Sequence, residues 1–222
     1  MRLGHVIYAV KDLDKAVKEW TQRGFTVEYG KRCKSHNAYI YFCEGPYIEL
    51  VEGGGFSKVQ RKLVSLRYGK ALAQRFNDLA ELPEGWACLC IEKDAGNLDG
   101  EVDYLRSIGI DGMYVKKGNR TDSKNRNLKY KCYYTYDYNM PFFMTYFEGT
   151  DPKPIDYMHP NGIRSISKVV FHTTKKYANT LTRRQCPSSA TAPATLPPSR
   201  RPSASAVAPS AASAALAAAA TT

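Results

Sequence analysis

The run Gly4-His5-Val6-Ile7-Tyr8-Ala9-Val10 is short and β-rich, and the apolar period then changes. Leu13, Ala16, Val17 and Trp20 recur at helical spacing, with Asp12 placed as an N-cap and Gly24 suited to the helix end. Three strand-like runs follow, over 25–29, 37–43 and 46–52. The predicted order is β-α-β-β-β within about fifty residues.

Gly53-Gly54-Gly55 breaks this unit. Ser57 opens an amphipathic helix carrying Val59, Leu63 and Leu66, resumed after Gly69 by Leu72, Phe76 and Leu79. Its other face is predicted to carry Lys58, Arg61, Lys62, Arg67, Lys70 and Arg75, read as the solvated side of a linker helix in preference to a membrane or nucleic-acid surface. From Gly85 the first pattern returns. A strand covers 86–91, Leu98, Val102 and Leu105 mark a helix ending near Gly109, and strands follow near 113–116, 128–136 and 142–148. Neither copy of this β-α-β-β-β unit buries both faces of its own sheet, so the two are expected to pair around a concavity.

The predicted fold is therefore α+β, with paired βαβββ modules forming an open, cup-shaped mixed sheet. The divisions are 1–54, a linker helix over 55–84, 85–150, the start of an incomplete third module over 151–182, and a disordered tail over 183–222. Ile163–His172 reads as the opening strand of that third module, and its unfinished edge leaves a homodimer open. The tail is mostly Ala, Ser, Pro, Thr and Arg, without aromatic or acidic residues, and buries too little apolar surface to offset chain entropy. Ala, Pro, Ser and Thr share cytosine at the second codon position, so we read this ending as out of frame or otherwise foreign to the fold. A native flexible tail is the alternative, and translating the locus in all frames decides between them.

Three segments carry a nameable likeness. A strand opening Gly4-His5-Val6, a helix start Asp12-Leu13-Asp14-Lys15-Ala16-Val17 and a closing Pro46-Tyr47-Ile48-Glu49-Leu50 resemble the glyoxalase-like branch of the vicinal oxygen chelate superfamily. His36-Asn37-Ala38 and Pro141-Phe142-Phe143 add to the likeness, which spans roughly 3–173. It implies metal ligands, where a metal is bound, on the first and last strands of each module. In module one these are His5 and Glu49, with Glu49 the candidate catalytic group. Laid end to end on module one, module two offers Trp86 and Thr145, neither a useful ligand. The likeness leaves the cofactor open between none and a divalent Zn, Fe, Ni or Mn.

Charge changes the picture little. The net charge is +11, but residues 157–222 hold eight Lys or Arg and no acid, leaving the modules nearly balanced. That argues against a nucleic-acid partner. No long apolar run predicts a membrane span, and six cysteines without a CxxC pair suit reduced thiols in a cytoplasmic protein.

The alternating faces Asn37, Tyr39, Tyr41 and Leu128, Tyr130, Cys132, Tyr134, Tyr136 suit either an aromatic wall around a small organic molecule or packing against the helices. The candidate ligand-binding residues are His36, Asn37, Tyr39, Tyr47, Trp86, Arg120, Tyr134 and Thr145, with Arg120 either reaching a ligand anion or pairing with Asp122 or another loop carboxylate. Two functions stay open: a binding protein that is metal-free or weakly metal-binding, and a metal-dependent lyase, isomerase or dioxygenase. A basic nucleic-acid-binding protein is the third.

Overall fold

The computed structural model describes residues 1–43, 45–94, 96–148, 157–183 and 215–216. The first module runs β1 (Arg2–Val10), α1 (Leu13–Gln22), β2 (Glu28–Tyr29), β3 (Asn37–Ile40) and β4 (Tyr47–Glu52). The second runs β5 (Gly85–Lys93), α4 (Asp99–Ser107), β6 (Gly112–Thr121), β7 (Asn127–Thr135) and β8 (Phe142–Thr145). Between them lie a 3-10 turn (Gly53–Gly55), α2 (Lys58–Tyr68) and α3 (Lys70–Glu81).

All eight module strands form one sheet in the order β2-β3-β4-β1-β5-β8-β7-β6. Each module places its last strand parallel to its first, β4 beside β1 and β8 beside β5. The modules join where β1 and β5 pair antiparallel, which relates the halves by a local twofold.

Helices α1 and α4 sit on one face of this sheet. Asp12 caps α1 by accepting from the Lys15 amide at 2.9 Å. Leu13, Ala16 and Trp20 then bury against Ile40, Ile48 and Leu50. Leu98, Val102 and Leu105 of α4 bury against Tyr133 and Phe143. Each such aliphatic or aromatic burial is worth about 1.5–3 kcal/mol. Side chains of opposite parity, among them Ile7, Cys88, Cys132, Phe142 and Met144, line the other, concave face.

The linker closes one side of that concavity. Gly54 has φ 69, and a Cβ there would stand 2.4 Å from the Phe76 carbonyl oxygen, so only glycine lets the turn seat on α3. Ser57 and Gln60 form a reciprocal capping box that starts α2. Gly69, at φ 95, separates α2 from α3.

Several predicted strands are shorter than the sequence pattern. The run from Phe25 pairs only at Glu28–Tyr29, because the Phe25 amide closes the helix end on the Trp20 carbonyl at 3.1 Å. Ile163–His172 is not a full strand: it contributes only β9 (Val170–Phe171), paired parallel with β10 (Ala215–Leu216). Ile166, Val169 and Phe171 instead pack on Val6 and Leu89 at the centre of the helix-bearing face. Their apolar alternation is satisfied by covering the sheet, not by extending its edge. α5 (Lys175–Arg183) follows, and the rest of the predicted tail, apart from 215–216, lies outside the described residues. Among the described residues no helix is long and apolar enough to cross a membrane.

Candidate functional site

The two modules align differently from the sequence reading. The spacing Leu13, Val17, Trp20, Gly24 recurs as Leu98, Val102, Leu105, Gly109. His5 pairs with Tyr47 across β1 and β4, and Cys90 pairs with Phe142 across β5 and β8. The counterpart of His5 is therefore Cys90, and that of Glu49 is Met144. Trp86 lies on the helix-bearing face, edge-on to Tyr8 at 5.0 Å and to Trp20 at 6.5 Å. Thr145 is fully buried away from the cup and accepts from the Lys131 amide at 3.0 Å. Matching the modules at their first residues misplaced Trp86 by four positions and Thr145 by one. Strand phase, not end position, decides which side chain faces the cup.

At the centre of the cup floor His5 is 2% exposed and bridges two carboxylates. Its Nε2 lies 3.3 Å from Glu49 Oε2, and its Nδ1 lies 3.2 Å from Glu92 Oε1. Burial alone would lower the imidazole pKa, but hydrogen bonds and charge from Glu49 and Glu92 outweigh it and raise it to about 9. His5 is accordingly an imidazolium at neutral pH, donating from both nitrogens. Burial would raise the Glu49 carboxyl, yet His5, Asn37 and Arg120 hold it below the ordinary range. Tyr47 stacks on the imidazolium at 4.6 Å between centroids, and Phe142 meets it edge-on at 5.4 Å.

No local pattern marks Glu92 in the sequence, where it follows the apolar stretch of β5. It is 1% exposed and reaches His5 only because residue 4 is glycine. A Cβ at Gly4 would stand 2.2 Å from Glu92 Cγ and Cδ. Gly4→Ala is expected to push Glu92 off His5, drop the imidazole pKa toward its ordinary value and destabilise the fold by about 1–3 kcal/mol. Titrating the His5 ring protons by NMR checks this; an unmoved midpoint would remove Glu92 from the triad.

Polar and aromatic groups complete a cavity of about 180 Å³, room for a small organic molecule rather than a lone water. Asn37 Nδ2 donates to Glu49 Oε1 at 2.8 Å and to the Tyr39 hydroxyl at 2.7 Å. Arg120 lies over the Tyr39 ring at 4.7 Å and the Phe147 ring at 5.3 Å. It does not pair with Asp122, which is claimed by Arg126. Tyr134 stacks on Phe142 at 5.6 Å. Burial holds the Tyr39, Tyr47 and Tyr134 phenols well above their ordinary pKa, so they present neutral hydroxyls. His36 does not line the cup; it stands half-exposed beside Glu52, 3.7 Å from its carboxylate.

The cup also holds a residue the sequence reading placed on the outside. Arg75 of α3 is 3% exposed and lines the cavity. Its guanidinium donates to the carbonyls of Thr135 (2.8 Å), Asp137 (2.6 Å) and Met140 (3.3 Å), the Thr135 hydroxyl (2.8 Å) and Cys88 Sγ (3.4 Å). No carboxylate pairs with it among the described residues. The cavity wall thus carries His5, Arg75 and Arg120 as cations against Glu49 as its lining carboxylate, and Glu92 stands behind His5.

One group among the described residues brings three metal-type donors together: His5, Cys90 and Glu92, all buried, with donor atoms within 4.8 Å of one another. Nitrogen, thiolate and carboxylate would suit a zinc-like ion. The arrangement present does not fit one. Both imidazole nitrogens are spent on carboxylates, and burial, with the charge of Glu92, holds the Cys90 thiol well above its ordinary pKa. A metal would have to displace a proton from each.

Comparison with known proteins agrees with this architecture. The sequence model of the "glyoxalase-like domain" family matches residues 3–184, ending where the chain's composition changes. No curated protein matches the chain. A hypothetical protein from Staphylococcus aureus shares the fold at TM-score 0.51 and 18% identity, over 69% of this chain and 61% of its own. This chain thus spans about three fifths of that protein's length. Two further structures are more distant and support no argument about chemistry. Methylmalonyl-CoA epimerase from Mycobacterium tuberculosis has TM-score 0.41 at 17% identity, over 67% of this chain and 88% of that one. A catechol 2,3-dioxygenase has TM-score 0.45 at 13% identity, over 82% of this chain and 55% of that one. On the family match over most of its length, this chain belongs to the glyoxalase-like domain family.

Proposed function

We propose that the protein binds a small organic anion, with an aromatic or apolar body, in the cup between its two modules, without needing a metal. The observation that carries this reading is the charge balance of the cavity. Its wall presents three cations and one carboxylate, and that carboxylate is already engaged by His5 and Asn37. A carboxylate or enolate-type oxygen would supply the missing counter-charge to Arg120 and Arg75. Phe142, Tyr134, Phe76 and Phe147 would pack its apolar body.

Calorimetric titration of the purified protein with a series of aromatic carboxylates and their neutral amides tests the reading. Carboxylates are expected to bind and amides to fail. Arg120→Met should weaken binding roughly tenfold to hundredfold, the worth of one charge-assisted hydrogen bond. Equal binding of acid and amide would rule out the anion.

A metal-dependent lyase, isomerase or dioxygenase is the second reading, for which His5, Cys90 and Glu92 are the candidate donors once freed of their present protons and partners. It predicts stoichiometric metal in the native protein, lost in Cys90→Ser. Elemental analysis showing that result would replace the first reading.

A further inference from the structure

Helix α2 is built like a surface-seeking helix, and among the described residues nothing covers its outer face. None of its residues is buried. Arg61, Val64 and Ser65 face the protein, where Arg61 is fastened to the Gly53 and Phe56 carbonyls at 2.6 and 2.7 Å and to Asn77 Oδ1 at 2.8 Å. Directly opposite, Val59, Leu63 and Leu66 form a ridge at i, i+4 and i+7, with exposures of 68%, 58% and 85%. Tyr68 at the end of the helix is 40% exposed. Lys62 flanks the ridge on one side and Arg67 on the other, with Lys58 and Lys70 at its two ends. From Gly53 to Asn77 the chain has six basic residues and no acid, while the rest of 1–156 has 18 basic and 21 acidic residues.

We propose that this face of α2 docks the protein on an anionic lipid surface. A ridge of aliphatic side chains rimmed by Lys and Arg matches the boundary between acyl chains and acidic headgroups, where apolar burial and charge act together. A second copy of the chain fits less well, since ridge-to-ridge pairing would bring the two basic rims against each other. The slightly acidic remainder of the modules would turn away from an anionic surface, so the charge asymmetry also sets the orientation. Docking would place the lipid beside the cup, because α2 is pinned to the Gly53–Phe56 turn, whose Gly54, Gly55 and Phe56 line the cavity.

The test is co-sedimentation of the full-length protein with vesicles of phosphatidylcholine alone, or mixed with phosphatidylglycerol. Binding is expected only to the mixed vesicles and should weaken as salt rises. L63E/L66E changes two exposed positions, so the thermal melt should be kept while vesicle affinity falls at least roughly tenfold. K62E/R67E should lose the anionic preference. Arg120→Met should bind vesicles like the wild type, which separates this inference from the cup ligand. No binding to mixed vesicles, or undiminished binding by L63E/L66E, would overturn the proposal. So would a stable dimer in solution that the same double substitution dissociates, since the ridge would then be covered by a second copy.

Discussion

Replacing His5 by alanine is expected to lower the free energy of unfolding by about 3–5 kcal/mol, the cost of leaving buried charge without its partner. Glu92 is 1% exposed, and both it and Glu49 lose the imidazolium between them. The lost ring also leaves a gap between Tyr47 and Phe142. Chemical denaturation at pH 7 measures the loss. A triple variant, His5→Leu with Glu49→Gln and Glu92→Gln, should recover much of it, because no unpaired charge then remains. A stable His5→Ala protein would show that the triad is not charged as described.

The same group predicts a pH dependence. His5 is raised from 6.5 in the unfolded chain to about 9 in the fold. The folded state therefore binds the proton more tightly, and its stabilisation is complete below about pH 6.5 and lost as pH rises through 9. The amount is on the order of 3 kcal/mol. A melting temperature that falls between pH 7 and 10 in the wild type, but not in His5→Ala, would assign this loss to His5.

Arg75→Met is the second large effect, expected to cost on the order of 3 kcal/mol. The substitution keeps the side-chain volume but strips donors from three carbonyls in the 135–140 turn, of which those of Thr135 and Met140 belong to buried residues. Arg75→Lys should recover only part of the loss, since one ammonium cannot span the same acceptors. In the variant that stays folded, carboxylate binding should fall further than stability alone explains, because Arg75 lines the cavity as well as holding the turn. Equal unfolding midpoints for wild type and Arg75→Met would remove the structural role.

Local pattern was readable wherever a single element decides its own face. Asp12 caps α1 and Leu13, Ala16 and Trp20 bury, as their spacing demands. The duplicated βαβββ order, and the placing of His5, Glu49, Asn37, Tyr39, Tyr47, Arg120 and Tyr134 around one cavity, followed from periodicity and family likeness. The linker helix defeated that logic twice. Its apolar residues were read as one inward stripe and its basic residues as one outward stripe. Gly69 separates two helices of independent rotational phase. Leu72, Phe76 and Leu79 turn inward on α3, while Val59, Leu63 and Leu66 turn outward on α2. Arg75, counted with the solvated cations, is buried under carbonyls.

What the sequence determined by itself is the set of elements and the pairing of two equivalent halves, because short-range periods of two and 3.6 residues suffice for that. Which side chains meet is a matter of packing between elements far apart in the chain. Strand register makes Cys90 and Met144, not Trp86 and Thr145, the second module's counterparts of His5 and Glu49. The contact of Glu92 with His5 spans 87 residues of sequence and rests on a missing Cβ at Gly4. Long-range register is fixed by packing across the sheet, so no local pattern encodes it.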